Sequence, residues 1–415
     1  MKKRLSMGFA ATAALALTAG LLTPAQAATT VVVWADESRG PNLVKTLKDK
    51  ADWVDGVEIE IKSFSGFDAL KTAIDAATAT SGPDIVVGAN DWVPTLAKNG
   101  KLAPLTLTAT QRAGFSASQF YDLTYKKKLY GVPVDVNNVA MIYNTKLVTS
   151  APKSFADMVD YYKANKASKS LKAGLCVAGG GMSWGAHSIA SALGADAYYF
   201  NPDGRINKSK VFNPNTLGEN VKKYLLDGKK SNGFLPASDT GCKDNFLAGT
   251  VPFAIIGNWE WTDYTAKGFT MNLMPVPGVS SGQSGNAFGS VSGALLTTFA
   301  ATRGREAAAK SVLTDFFGSA AGQVAYQKYE KRPPAHKGAA SSASVTDGQK
   351  GFGASAAAAS VPQIGAILNG SGKSYWDSLP AYWTAVLVDG KDPVAEAKKL
   401  ATIYRNNLRA AVNDI

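Results

Sequence analysis

The chain has 415 residues, of which 46% are hydrophobic and 18% charged, a balance that describes a globular protein and excludes a disordered one. Its length is too great for one ordinary core and suits two domains. The formal charge of +12 is scattered over short clusters such as Lys126-Lys127-Lys128, Lys222-Lys223, Lys229-Lys230 and Lys398-Lys399, with no dense basic arm and no interleaved aromatics, so nucleic acid is not an expected partner.

Lys2, Lys3 and Arg4 form a basic head, residues 7–22 an apolar run, and Thr23-Pro24 then leads to the small-residue triplet Ala25-Gln26-Ala27. This is the three-part layout of a cleavable secretory signal, with the cut expected after Ala27. The run is short for a membrane span, rich in Ala and Thr, and followed by Pro24. No cysteine follows the cut, so no lipid anchor is expected and the mature chain reads as periplasmic and soluble. Loss of the three leader cations lowers the formal charge from +12 to +9. No second apolar stretch approaches spanning length.

The mature chain opens on the strand-like run 31–35. A turn at Ser38-Arg39-Gly40 follows, with Pro41 placed to start a helix. Leu43, Leu47, Ala51 and Val54 recur at helical spacing, and Trp53 on that stripe is assigned to core. Val57, Ile59 and Ile61 alternate with Glu58, Glu60 and Lys62 as in a half-buried strand. Residues 67–77 read as a second helix, Gly82-Pro83-Asp84 as a break, Ile85-Val86-Val87 as a third strand, and 90–99 as a helix stopped by Asn99-Gly100. Strand–helix–strand–helix–strand marks an α/β chain with a doubly wound sheet. Ligands sit beyond the carboxyl ends of such strands, here at Trp34-Ala35-Asp36 and at residues 88–92. Further on, the Gly- and Ser-rich stretch 278–293 reads as a loop or connection. Residues 338–360, rich in Ala, Ser and Gly, fit either a small-residue helix or a mobile surface segment.

Only two cysteines, Cys176 and Cys242, and two histidines, His187 and His336, occur, too few for a zinc site of His and Cys ligands. An even cysteine count in an exported chain suggests a Cys176–Cys242 disulfide. Two free buried thiols are the alternative, which only their separation in space decides.

Several segments, in order, resemble the bacterial extracellular solute-binding proteins of the maltose-binding type: VVVWADESRG at 31–40, GPDIVVGANDW at 82–92, YGVPVDVNNVAMIYNTKLV at 130–148, PKSFADM at 152–158, FLAGTVPFAIIGNWEW at 246–261 and YWDSLPAYWTAVLVDGKDPVAEA at 375–397. The stretches 129–147 and 246–261 are the most specific. After a signal peptide at 1–27, the resemblance implies two α/β lobes, one of residues 28–135 plus 290–332 and the other of 139–287 plus 334–415. The crossing hinge strands would lie at 135–138, near Ser290 and at Arg332-Pro333-Pro334, and the lobes would close on a ligand between them. It further implies capture of an oligosaccharide, maltodextrin-like or related, and its delivery to the membrane permease subunits of an ABC importer, by a monomer with no cofactor and no metal. The alternatives are another polar solute, such as a sugar phosphate or polyol, and, less favoured, a secreted carbohydrate-active enzyme.

A sugar offers apolar C–H faces to aromatic rings and hydroxyl edges to planar or charged hydrogen-bonding groups. The resemblance places Asp36 and Arg39 in a polar loop after the first strand, and Asp91 where a carboxylate meets sugar hydroxyls. A solvated turn and a helix N-cap are the respective structural readings. Trp92 stands where the family often has Arg, which implies more stacking. Asp135 and Asn137 lie at the first crossing, and maltose binders commonly carry Glu at the Asn137 position. Trp259 is the implied platform, with Trp261 the lesser candidate. Trp376 resembles a stacking Trp on a helix where Trp383 is core, and Gly179-Gly180-Gly181-Met182-Ser183-Trp184 with His187 occupies another stacking region. Trp34 fits core or site equally. Paired carboxylates such as Asp36 and Asp91 would be an opening for glycoside hydrolysis, but no nucleophile with its base is marked, and no Ser or Cys motif surrounds either histidine.

Overall fold

The computed structural model describes residues 28–411 apart from 200, 202–205, 239–240, 266–270 and 371, so the expected leader lies outside the described residues. The chain begins with β1 (Thr29–Ala35), α1 (Gly40–Asp49), β2 (Val57–Ser63), α2 (Phe67–Ala76) and β3 (Ile85–Ala89), then a 3-10 turn at Asn90–Trp92 and α3 (Val93–Lys98). β1 is central and parallel to both β2 and β3. The alternation read in β2 is real: Val57, Ile59 and Ile61 are half-buried while Glu58, Glu60 and Lys62 face water. The helical stripe ends sooner than expected, at Asp49. Ala51 and Val54 fall in the turn before Gly56, which takes a φ of 67°, and Trp53 packs half-buried on the core with its ring 5.1 Å from Phe316.

The chain continues through β4 (Gly131–Asn137), β5 (Val139–Asn144), α4 (Phe155–Asn165), β6 (Leu175–Val177), α5 (His187–Ala192), α6 (Pro214–Leu225), α7 (Cys242–Leu247), β7 (Phe253–Gly257), β8 (Met271–Met274) and β9 (Ala287–Leu296). It ends with α8 (Ala320–Gln327), α9 (Asp347–Ala358), β10 (Ser360–Pro362), α10 (Gly365–Leu368), α11 (Tyr375–Leu387) and α12 (Pro393–Ala411). One sheet has the order β10-β9-β3-β1-β2 with β4 also on β9, and the other the order β8-β5-β7-β6. Both are mixed: antiparallel pairs enter where β9 meets β3 and β4 and where β5 meets β7 and β8. The result is a two-lobed α/β protein. One core draws on residues between 31 and 134 and between 291 and 335, the second on residues between 139 and 288 and between 361 and 411.

The chain passes between these cores at three adjacent places. β4 runs through Asn138 directly into β5, and β9 carries Ala287 and Phe288 in the second core and Ala294 to Leu296 in the first. The third pass lies against β4, where Val136 N–H donates to the Pro333 carbonyl at 2.8 Å and Ala335 N–H to that of Val134 at 3.2 Å. The expected loop at 278–293 is thereby corrected, because 287–293 belong to the ten-residue β9. Its small residues have a packing reason rather than a turn reason: a Cβ on Gly293 would stand 2.7 Å from the side chains of Leu123 and Leu295. For 338–360 the structure chooses helix. Thr346 and Gln349 form a capping box at the start of α9, Phe352 anchors it in the core, and Gly348 leaves room for the Trp261 ring.

In the second sheet, period-2 alternation separates two faces. Met141, Leu175, Val177, Phe253 and Ile255 point into the second core. Ala140, Ile142, Cys176, Ala254 and Ile256 point into a smaller cluster on the opposite face, which Cys242 joins from the start of α7. The two cysteines are bonded, with Cα atoms 5.5 Å apart, which settles the sequence alternatives in favour of the bridge. Closing a loop of 66 residues contributes roughly 4 kcal/mol in the chain-entropy model. Replacing both cysteines by Ser should therefore lower the denaturation free energy by a few kcal/mol, and the native chain should weigh two hydrogens less than its reduced form; unchanged stability and mass would contradict the bridge.

Candidate functional site

A cleft of about 840 Å³ lies between the two cores. The first lobe supplies the turn after β1 (Asp36 to Arg39), the start of α2 (Phe67, Asp68) and the residues closing β3 (Ala89, Asp91). The second supplies Gly180, Ser183 and Trp184 after β6, Trp259 after β7, and Trp376 on α11. Asn137, Ser290, Ser292 and Arg332 on the crossings form its floor. The strand ends named from topology are thus at the cleft.

The floor is a buried ionic network. Arg39 Nη1 donates to Asp36 Oδ2 at 2.6 Å, Nε to Asp135 Oδ2 at 2.9 Å, and Nη2 to Asp135 Oδ1 at 3.2 Å and Ser292 Oγ at 2.5 Å. Asp36 Oδ1 accepts from the Ser38 hydroxyl and from the backbone N–H groups of Ser38 and Arg39, which folds the turn into a ring around the carboxylate. Burial by itself raises the Asp36 carboxyl, but the Arg39 charge, aided by these donors, brings it down to about 2. Asp135 is likewise lowered by Arg39 and Arg332 against the pull of burial. Arg332 completes the floor, donating from Nε to Asn137 Oδ1 at 2.9 Å and from Nη1 to Glu330 Oε1 at 2.8 Å. The polar loop expected to face a ligand is therefore turned largely inward, and Asp135, 1% exposed, sits behind the cleft lining.

The opposite wall is aromatic, and its rings are placed by missing side chains. A Cβ on Gly257 would stand 2.4 Å from the Trp259 ring, and one on Gly180, itself at a φ of 71°, 2.6 Å from that of Trp184. The two indoles lie 5.6 Å apart at 38°. Trp184 Nε1 donates to Gln363 Oε1 at 2.6 Å and Trp376 Nε1 to Asn369 Oδ1 at 2.9 Å, fixing ring orientation while the faces stay half-exposed. Arg332 stands 5.8 Å from the centre of the Trp259 ring. His187 does not reach the cleft. It is fully buried, stacked on Phe288 at 4.0 Å and hydrogen-bonded to the Tyr375 hydroxyl at 2.6 Å, and burial lowers it to about 3, so it is a neutral core residue behind Trp376.

Trp92 and Asp91 part company. The Trp92 ring packs over Gly88, whose Cβ would stand 2.4 Å away, and is 5% exposed, so it lies in the core beneath the mouth instead of lining the cleft. Phe67, 42% exposed and 4.6 Å from the Trp92 ring, is the aromatic presented there. Asp91 does line the cleft; its Oδ1 is buried without a hydrogen-bond partner, and burial raises the carboxyl to about 6. Trp34 is 4% exposed against Phe64 and belongs to the core, while Trp261 turns away onto Phe352. Arg332, Gln363, Ser290, Ser292 and Phe67 line the cleft without having been singled out as ligand contacts. Among these only Ser290 and Arg332 carried a sequence signal, each as part of an expected crossing. Among the described residues no group of three or more His, Cys, Asp or Glu is placed to hold a metal, and no helix is long and apolar enough to cross a membrane.

A sequence model described as bacterial extracellular solute-binding protein matches residues 42–353. The chain is 27% identical over 227 residues to a maltotriose-binding protein of Pyrococcus abyssi (strain GE5 / Orsay), a match covering 50% of this chain and 44% of that one. It is 22% identical over 253 residues to the maltodextrin-binding protein MdxE of Bacillus subtilis (strain 168), covering 58% of each. A galactooligosaccharide-binding protein of the same organism is 21% identical over 271 residues, covering 62% of each. The chain thus spans between about two fifths and three fifths of the length of these relatives.

Proposed function

The chain belongs to the bacterial extracellular solute-binding proteins, and from that premise we propose that it captures an oligosaccharide in the interlobe cleft and delivers it to an ABC importer. The observation that carries the reading is the wall of Trp184, Trp259 and Trp376 facing a polar floor and Asp91 across about 840 Å³. Three indoles with open faces, those of Trp184 and Trp376 tethered through Nε1, suit the C–H faces of successive sugar rings, and Asp91 with Gln363 suits hydroxyl edges. The relatives named for maltotriose, maltodextrin and galactooligosaccharide favour a saccharide over a polyol. Export follows the leader reading, with cleavage after Ala27 and release into the periplasm.

A binding role without turnover fits the floor. Asp36, one half of the carboxylate pair that hydrolysis would need, has both oxygens engaged by Arg39 and Ser38. Titration calorimetry against maltotriose, longer maltodextrins, galactooligosaccharides, polyols and sugar phosphates tests the reading. Saturable binding of an oligosaccharide, recovered intact, is the expected result. Failure of every saccharide to bind, or its cleavage, would end it.

A further inference from the structure

The chain and its cleft carry opposite charge. Cations lead by twelve over the whole sequence. Among the described residues the cleft lining instead carries four carboxylates, Asp36, Glu37, Asp68 and Asp91, against the guanidinium groups of Arg39 and Arg332, and no lysine. Both guanidiniums are engaged from behind. Arg39 is paired with Asp36 and Asp135, and Arg332 with Glu330 while its Nε holds Asn137. Three carboxylates therefore surround two cations, which leaves no arginine charge to meet an incoming anion.

The other three carboxylates have no such balance. Glu37 and Asp68 are exposed at the rim and form no ion pair among the described residues. Asp91 keeps an oxygen without a donor. Lys71, whose charge acts on Asp91, is itself paired with Asp75. With its carboxyl at about 6, Asp91 is mostly ionised at neutral pH. Low-dielectric walls concentrate the field of such charges inside a cleft, and the open faces of Trp184, Trp259 and Trp376 attract cations through the ring quadrupole. The site thus offers hydrogen-bond acceptors and ring faces, which suit hydroxyl and ammonium donors.

We propose that the cleft sorts saccharides by charge, admitting neutral and amine-bearing ones and rejecting those that carry a carboxylate or phosphate, an inference that rests on the saccharide reading above. The basic surface of the protein does not decide this, because exposed charges more than a Debye length from the site are screened.

The test is calorimetry on the whole protein at neutral pH with three matched probes: maltotriose, maltotriose ending in glucuronate, and maltotriose ending in glucosamine. At physiological salt the uronate probe should bind on the order of tenfold more weakly than maltotriose, and higher salt should narrow the gap. The amine probe should bind at least as tightly as maltotriose. In the double variant Glu37→Gln, Asp68→Asn, both positions lying on the surface, the ratio between neutral and uronate probes should shrink. Uronate binding equal to or tighter than that of maltotriose overturns the sorting and leaves the saccharide reading standing. Binding of none of the three, nor of galactotriose and its uronate, overturns both.

Discussion

Trp259→Ala should weaken oligosaccharide binding at least tenfold and leave the fold nearly unchanged. The ring follows β7, lies over Gly257 and is half-exposed to the cleft, with Trp184 at 5.6 Å and Arg332 at 5.8 Å. Little of the second core leans on it. Truncating a well-desolvated aromatic anchor commonly costs ~2 kcal/mol in an interface, which is about thirtyfold in affinity. Trp383→Ala is the contrasting variant. That indole is 0% exposed in the second core, and its loss should cost about 3–5 kcal/mol of stability while the folded fraction binds with near-native affinity. Saturating ligand should also change tryptophan fluorescence in the native protein and much less in Trp259→Ala. Equal affinity in Trp259→Ala and the native chain would move the stacking surface to Trp184 or Trp376.

The legible parts of this site were the ones encoded locally. Val31 to Ala35, the Val57–Ile61 alternation and the Gly82-Pro83 break each carry their own period or punctuation, so the order of β1, β2 and β3 and the ends that face the cleft could be read directly. The positions of single rings could not. Whether Trp92 or Phe67 shows its face depends on Gly88, four residues from one and on a different element from the other. The inward turn of Arg39 depends on Asp135, 96 residues away on β4. β9 was hidden for a related reason. Its Gly and Ser content speaks locally for a loop, whereas the strand is imposed by pairing with β3 and β4 on its two sides. Gln363 contacts Trp184 across 179 residues and had no local signal at all.

Asp135→Ala should be among the most destabilising single substitutions in the chain, and its rescue separates a structural role for Arg39 from a ligand-binding one. Both residues are buried, at 1% and 5% exposure, and each guanidinium nitrogen of Arg39 donates within the protein. Removing one partner of a buried pair leaves an uncompensated charge and costs about 3–5 kcal/mol, whereas replacing both by apolar groups of similar volume is often neutral. The double variant Arg39→Met, Asp135→Leu should accordingly melt closer to the native protein than Asp135→Ala does, with Arg332 left as the cation acting on Asp36. The acid limb supplies an independent sign. Asp36 is lowered to about 2 in the folded chain, so its contribution is present above the ordinary 3.8 and lost as the pH falls through 2. Without Arg39 the Asp36 carboxyl should rise toward or past its ordinary value, so the part of the stability that this carboxylate loses on acidification should shrink. If Arg39 serves as a scaffold for the crossings, the double variant should keep affinity within about tenfold of native. A variant that is stable but no longer binds would instead assign the guanidinium directly to the ligand.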